Sequence, residues 1–370
     1  MKLSKWSAKD ISSGTRVLLR VDANVPIKHG QAQDEGVFGR ISQTLPEIER
    51  LRKRGASIIL ASHLGDPGGK VNKKFSLAPV AKVFEQHLKR AVPIVTDFQI
   101  PELRPGELCL LENLRFDAGE EKNSDTFAWK LAKLAEVYVN NAFGVCHRRH
   151  ASVHAITRHL PSFAGELVIR ETTELSRDLK KPFMLVMGGA KIETKIGLLK
   201  RLGNQADKIL LGGGLAVTFL AAADVELPTY PAELFDRRDV ALARQILRRI
   251  GHKIILPRDV VARPKQHLVT DIGPETRAVF ATEIASAKTI IWNGPLGIIE
   301  RNDGMAGTVS VAQAMQKCKA RVVIGGGDTV EFLAAQQVLK GFSHVSTGGG
   351  AMLAFLSGDN LPGLQALQEF

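Results

Sequence analysis

PFMLVMGGAKIETKIGLLKRLGNQADKILLGGGLAVTF, residues 182–219, reads as apolar strand, glycine turn, helix, strand, second glycine turn and the start of another helix. A short apolar run ending in glycines, followed by a longer helical pattern, is the signature of βαβ units and of a parallel sheet covered on both faces. Outward from this stretch the alternation continues in both directions. It predicts strands at 16–22, 57–62, 108–111 and 137–140 in the first half, and at 183–187, 208–211, 253–256, 289–292 and 321–324 in the second. The fold class is therefore α/β. With 370 residues the chain is too long for one core, so two domains are expected. Between the halves, FAGELVIRETTELSRDLKKP at 163–182 places apolar residues at Leu167, Val168, Leu175 and Leu179 and stops at Pro182. This pattern predicts a connecting helix at 165–181, between a domain at 1–164 and another at 182–356.

The composition is that of a globular protein, 44% hydrophobic and 24% charged. Three cysteines, Cys109, Cys146 and Cys318, stand far apart without CxxC spacing, which fits a reducing intracellular setting better than a zinc site or redox pair. No apolar run reaches the roughly 18 residues of a membrane span, and the start carries no signal-peptide stretch. A cytoplasmic protein with no membrane partner is expected. The net charge of +12 favours anionic partners without choosing among them. Arg50, Arg52, Lys53 and Arg54, like Arg248 and Arg249, sit at the ends of amphipathic helical patterns and read as solvated faces. Aromatic residues are only 6% of the chain, with two tyrosines, so stacking platforms are scarce and a nucleic-acid partner is not expected.

Most predicted strands of the second half run straight into a glycine turn: GGAK from Gly188, GGGLA from Gly212, NGPLG from Asn293, GGGDT from Gly325, STGGGA from Ser346. In an open parallel sheet, ligands bind beyond the carboxyl ends of the strands. There glycine admits the backbone, and helix N-termini present N–H groups to phosphates. One such turn is ordinary; five on one edge point to a nucleotide. Neither GxGxxG nor GxxxxGK[ST] occurs, which argues against a dinucleotide-binding domain and a P-loop. Lys191 and Lys195, four apart, share a helix face. Asp328, at the start of the helix after Gly325, Gly326 and Gly327, is a candidate Mg²⁺ carboxylate.

The first half carries another set: Arg20, Asp22 and Asn24 in RVDANVP, Arg40 in GRISQTLP, His63 in SHLGDP, Arg115 in LENLRF, and His147, Arg148 and His150 in CHRRH. Most follow predicted strand ends. Arginine and histidine with few carboxylates make an anion pocket, because guanidinium forks match phosphate and carboxylate geometry.

In order along the chain, RVDANVP, SHLG, LLENLRF, VNNAFG, GGAK, GGGLAVTF, DIGP, WNGPLG, GGGDT and STGGGA resemble the motifs of phosphoglycerate kinases over almost the whole length. The resemblance implies two doubly wound, Rossmann-like parallel-sheet domains joined by a helix and hinge, with a final segment, 357–370, returning to the first domain. It implies reversible phosphoryl transfer between 1,3-bisphosphoglycerate with ADP and 3-phosphoglycerate with ATP, Mg²⁺ accompanying the nucleotide, hinge closure before transfer, and a monomer. Carried over by position, Arg20, Asp22, Ala23, Asn24, His63, Leu64, Gly65, Asp66, Arg115, His147 and Arg148 would meet the phosphoglycerate. Arg40, Lys195 and Lys191 would serve the transferring phosphoryl group. Lys195, Gly212, Gly213, Gly214, Glu300, Gly325, Gly326, Gly327, Asp328 and Thr329 would hold the nucleotide, with Asp328 on the metal.

The chain also departs from the family pattern. Asp66 stands where an arginine would help hold the substrate phosphate; two like charges ~5 Å apart at an effective dielectric near ~20 repel by roughly 3 kcal/mol. Lys70 is placed to compensate. Asn141 replaces an aspartate, Glu193 and Thr194 replace a serine–aspartate pair, a glutamate is lost near Ala354, and 257–271 is short, as though a hairpin had been trimmed. These features leave two further readings: a related kinase acting on another small carboxylate, and a nucleotide- or nucleic-acid-binding protein without turnover.

Overall fold

Strands with no exposed side form the centre of both sheets. In the computed structural model, which describes residues 2–34, 36–190, 192–225 and 236–369, contacts divide the chain into two units, Met1–Glu174 with Asn360–Phe370, and Leu175–Asp359.

The first unit contains β1 (Arg16–Arg20), β2 (Ile27–Lys28), β3 (Gln31–Ala32), β4 (Ser57–Ala61), β5 (Ile94–Val95), β6 (Leu108–Leu111), β7 (Val137–Asn140) and β8 (Ser162–Ala164). Six of them form one sheet in the order β5-β6-β4-β1-β7-β8, with every pair parallel; β2 and β3 make a small antiparallel ribbon. Leu19 of β1 lies in register with Leu60 of β4 and Val139 of β7, and all three are fully buried. Each such aliphatic side chain contributes about 1.5–3 kcal/mol when withdrawn from water. The last residues of the chain fold onto this unit: Ser4 N–H donates to the Leu367 carbonyl and Gly363 N–H to that of Cys146, both at 2.9 Å.

The second unit contains β9 (Phe183–Met187), β10 (Lys208–Leu211), β11 (Ile254–Ile255), β12 (Val260–Arg263), β13 (Leu268–Ile272), β14 (Thr289–Asn293), β15 (Arg321–Gly325) and β16 (His344–Val345). Its parallel sheet runs β11-β10-β9-β14-β15-β16. Chain order therefore reverses between β9 and β14, and a crevice opens beyond their carboxyl ends at such a switch point. The segment 257–271, short as it is, still supplies an antiparallel hairpin, β12 with β13.

The helix expected at 165–181 covers Glu166–Leu175 only. Ser176 and Asp178 compete for backbone hydrogen bonds, and Lys181 precedes a proline, which disfavours the helical region. The two-residue strands β5 and β16 and both hairpins carry too little periodicity to be read from sequence. The basic clusters lie on helix faces: Arg50 pairs with Glu47 at 3.2 Å and stacks over Trp6 at 3.9 Å, Arg52 pairs with Glu49, and Arg248 and Arg249 are exposed.

Candidate functional site

In the first unit the carboxyl ends of β1 and β4 and the turn after β6 bring Arg20, Arg40, Arg115 and His63 into one electrostatic neighbourhood, which Arg148 also reaches. Arg20, almost wholly buried, donates through Nε to Ser152 Oγ at 2.9 Å, through Nη1 to the Val21 carbonyl, and through Nη2 to His63 Nδ1 at 3.3 Å. A guanidinium has no acceptor, so the His63 nitrogen facing it must be the acceptor and the proton of the neutral ring sits on Nε2. Burial, and then the charges of Arg20, Arg115, Arg148 and Arg40, hold His63 well below the usual histidine range. His150 is pushed down to about 3 by burial and then by Arg115, Arg148 and Arg20, and His147 is lowered by burial and by Arg148. Arg115 itself is lowered by burial and by Arg148. Burial is the first cause in all three histidines and the arginine charges add to it, so both favour the neutral rings.

Backbone and carboxylate contacts fix those arginines. Arg40 Nη1 reaches Asp22 Oδ2 at 3.2 Å and the Asn24 carbonyl at 3.2 Å. Asn24 Oδ1 accepts from Gly65 N–H at 2.9 Å, and Arg115 Nη1 donates to the Gly65 carbonyl at 2.6 Å. Arg115 Nε pairs with Glu121 at 3.2 Å, while its Nη2 is buried with no partner in the protein. Ala23 N–H donates to Ser62 Oγ at 3.0 Å, and the Leu64 carbonyl accepts from Asn113 Nδ2 at 2.7 Å, so both shape the turns. Asp66 and Lys70 are exposed, and the Asp66 charge acts on Arg115 less than those of Arg148, Glu121 and Arg20. Arg148 is exposed and His147 half-buried at the rim. Sequence reading gave no role to Ser62, Asn113, Ser152 or Glu120. Ser62 and Asn113 fall within SHLG and LLENLRF, Ser152 and Glu120 within no quoted motif, and only the fold shows what their side chains hold.

The second unit builds its site from backbone. A cavity of about 250 Å³ opens at the switch point, with Gly189, Gly213, Gly214 and Gly297 on its lining, an apolar wall that includes Val217, Leu220, Val260 and Ile298, and the carboxylates of Glu300 and Asp328 on the same lining. The helices Gly213–Ala222, Gly327–Ala335 and Gly349–Ser357 begin after Gly212, Gly326 and Gly348, and no side chain caps any of the three. In the first of these helices Gly213 N–H already donates to the Leu296 carbonyl and Leu215 N–H to that of Gly189, both at 2.8 Å, whereas the uncapped N–H groups and dipoles that open the other two favour an anion. Gly213 has φ +60°, and a Cβ there would stand 3.0 Å from the Gly189 nitrogen and the Pro295 oxygen, so a side chain would close the crevice. Trp292 Nε1 donates to the Gly294 carbonyl at 2.9 Å and Asn293 Nδ2 to that of Gly325 at 3.0 Å, which pins the turns after β14 and β15 together.

Lys195 is lowered by burial and feels the Asp328 carboxylate, which places the two in one electrostatic neighbourhood. Thr329 Oγ1, in the turn that carries Asp328, is buried without a partner. Gly212 packs on Leu296 and Gly325 on Met352, so these two glycines support the turns rather than line the cavity. Lys191 lies outside the described residues. Asp271, quoted in DIGP without a role, lines the cavity; its carboxylate accepts from Gly307 N–H at 2.6 Å and Ile272 N–H at 2.8 Å, and burial raises it to about 6 against those bonds. Among the described residues no group of three or more His, Cys, Asp or Glu is gathered for a metal, and no helix is long and apolar enough to cross a membrane.

Fold and site together define an α/β protein with a nucleotide-type crevice in one unit and an anion pocket in the other. A family model described as phosphoglycerate kinase matches residues 8–359. Curated phosphoglycerate kinases from Thermomicrobium roseum and Moorella thermoacetica are 43% and 40% identical; the first match covers 96% of both chains, the second 99% of this chain and all of the relative. Solved structures of phosphoglycerate kinases from Pyrococcus horikoshii and Coxiella burnetii superpose with TM-scores of 0.85 and 0.81 at 30% and 35% identity, each match covering 96% of both chains. The chain belongs to the phosphoglycerate kinase family, and it is a kinase.

Proposed function

We propose that the first unit binds 3-phosphoglycerate or 1,3-bisphosphoglycerate, that the second binds ATP or ADP with Mg²⁺, and that the enzyme passes a phosphoryl group between substrate carboxylate and nucleotide. The observation that carries the substrate assignment is the gathering of Arg20, Arg40, Arg115 and Arg148 around His63, with Arg115 Nη2 buried and unpartnered among them. Such a pocket is built for an anion with several charges, and the phosphate and carboxylate of phosphoglycerate supply them. In this reading Arg20, Arg115 and Arg148 grip the substrate, the Nε2–H of neutral His63 donates to it, and Asp22 and Asn24 bind it while steering Arg40. Arg40 and Lys195 meet charge that spreads over the phosphoryl oxygens during transfer, where positioning and fixed charge lower the barrier most.

On the nucleotide side, the apolar wall takes the base beside Gly213 and Gly214, Glu300 takes the ribose, and the N–H groups at Asp328 and Thr329 take the phosphates. A single carboxylate, Asp328, fits Mg²⁺ that arrives on a nucleotide, since this ion keeps waters and phosphate oxygens and needs no protein cage. Bound there it would neutralise phosphate charge. The non-catalytic reading gains no support from a chain that retains Arg40, Lys195 and Asp328 inside a family of kinases.

Calorimetric titration tests the substrate assignment. 3-Phosphoglycerate should bind the wild-type protein, Arg115→Ala should weaken it on the order of tenfold or more because charged hydrogen bonds are lost, and nucleotide affinity should stay unchanged. Equal phosphoglycerate affinity in both proteins would remove the first unit as its site.

A further inference from the structure

Glu120 is the most deeply buried carboxylate of the first unit's site region and contacts no expected substrate group. It belongs to the short helix Ala118–Glu121, just past Arg115. Its Oε2 accepts from Ser152 N–H at 2.9 Å and its Oε1 from the Ser152 hydroxyl at 2.6 Å. The serine hydroxyl proton is thereby committed to Glu120, which leaves the Oγ lone pairs for Arg20 Nε at 2.9 Å. Tyr138 Oη donates to the Ser152 carbonyl at 2.6 Å, and Glu120's own carbonyl accepts from Ala151 N–H at 2.9 Å, so the serine is held from four directions. His150 Nδ1 stands 3.9 Å from Glu120 Oε1, beyond hydrogen-bond reach, and does not compete.

We propose that Glu120 is a positioning residue for the phosphoglycerate site: through Ser152 it fixes the plane of the Arg20 guanidinium, and through Arg20 the tautomer of His63. The relay rests on the substrate reading above only for its kinetic consequence; its structural consequence stands alone. Each link is directional. With a carboxylate at position 120 the hydroxyl must donate to it and accept from Arg20; Arg20 donates in every case, so what the serine fixes is the place and plane from which its Nη2 meets His63 Nδ1. Glu120→Gln breaks the direction without removing volume, because one acceptor becomes an NH₂ group facing either the Ser152 N–H or its hydroxyl. Ser152→Ala removes the middle link by a single oxygen.

The test uses the full-length protein and both variants, alone and combined. Nitrogen-15 spectra of the histidine rings should show His63 neutral in the wild type, with a bare Nδ1 and a protonated Nε2. Both variants should change that signal while leaving the nucleotide KM alone. KM for 3-phosphoglycerate should rise on the order of tenfold in each, as expected for one lost charged hydrogen bond. The double variant should be no worse than the weaker single one, since both cut one chain. If Glu120→Gln does not fold, Ser152→Ala still decides the matter. A wild-type KM and an unchanged His63 signal in Ser152→Ala would overturn the relay, as would additive effects. Absence of 3-phosphoglycerate turnover in the wild type would count against the substrate reading instead, with the ring spectra still reporting on the relay.

Discussion

Under the proposed function the two units bind anions in opposite ways. The first uses side chains: Arg20 is held by the Ser152 hydroxyl, Arg40 by the Asp22 carboxylate and Arg115 by the Gly65 carbonyl, and its turns after β6 are capped by Asn113, Asp117 and Ser124. The second uses backbone: three helices start from glycine with no side-chain cap, and two of them bring Gly213, Gly214 and Asp328 to the lining of the crevice. A pocket of side chains can match one small, densely charged molecule, whereas a glycine edge accepts a long ligand lying along it. The contrast teaches where each site is vulnerable, charge in one and space in the other.

The sharpest way to break the contrast is Arg40→Ala. It should lower kcat on the order of a thousandfold, because an arginine facing a transferring phosphoryl group is worth about that much, with Mg-ATP affinity from calorimetry preserved. A comparable loss of ATP affinity would place Arg40 in the nucleotide site. Gly213→Ala is the counterpart. A Cβ at φ +60° costs about 1–2 kcal/mol in strain and intrudes on the crevice. Melting temperature and ATP affinity should both fall, the latter on the order of tenfold, with 3-phosphoglycerate binding intact.

Asp66→Arg should do the reverse of damage. Asp66 is exposed, so its charge is screened, and the exchange should lower KM for 3-phosphoglycerate only severalfold at low salt, an effect that added salt erases. A higher KM in the variant would mean that Asp66 serves the substrate.

The smallest effect is on pH. His150 titrates near the ordinary 6.5 when unfolded and at about 3 when folded, so between those values the unfolded chain binds more protons and stability falls as pH falls. Asp271 acts oppositely: raised to about 6 in the fold, it erodes stability as pH rises from about 3.8 to 6. Urea midpoints at pH 7 and pH 5 should drop less in His150→Gln than in wild type; an identical drop would assign the acid sensitivity elsewhere.

Much of this was legible in the sequence because central parallel strands are continuous apolar runs. The segments 57–62, 108–111, 137–140, 183–187 and 208–211 announce themselves, and the glycines and arginines beyond strand ends follow. What escaped had no local signal. The two-residue edge strands β5 and β16 exist only by pairing, and the connecting helix stops at Leu175 although its apolar spacing runs on to Leu179. Supporting groups such as Ser152, Glu120 and Asp271 look like ordinary polar residues until the fold buries them.

The account rests most directly on turnover. Initial rates with purified protein, Mg-ATP and 3-phosphoglycerate, each varied in turn, should show transfer that saturates in both substrates and disappears on chelation of Mg²⁺. ATP binding with no transfer to 3-phosphoglycerate at any concentration would contradict it.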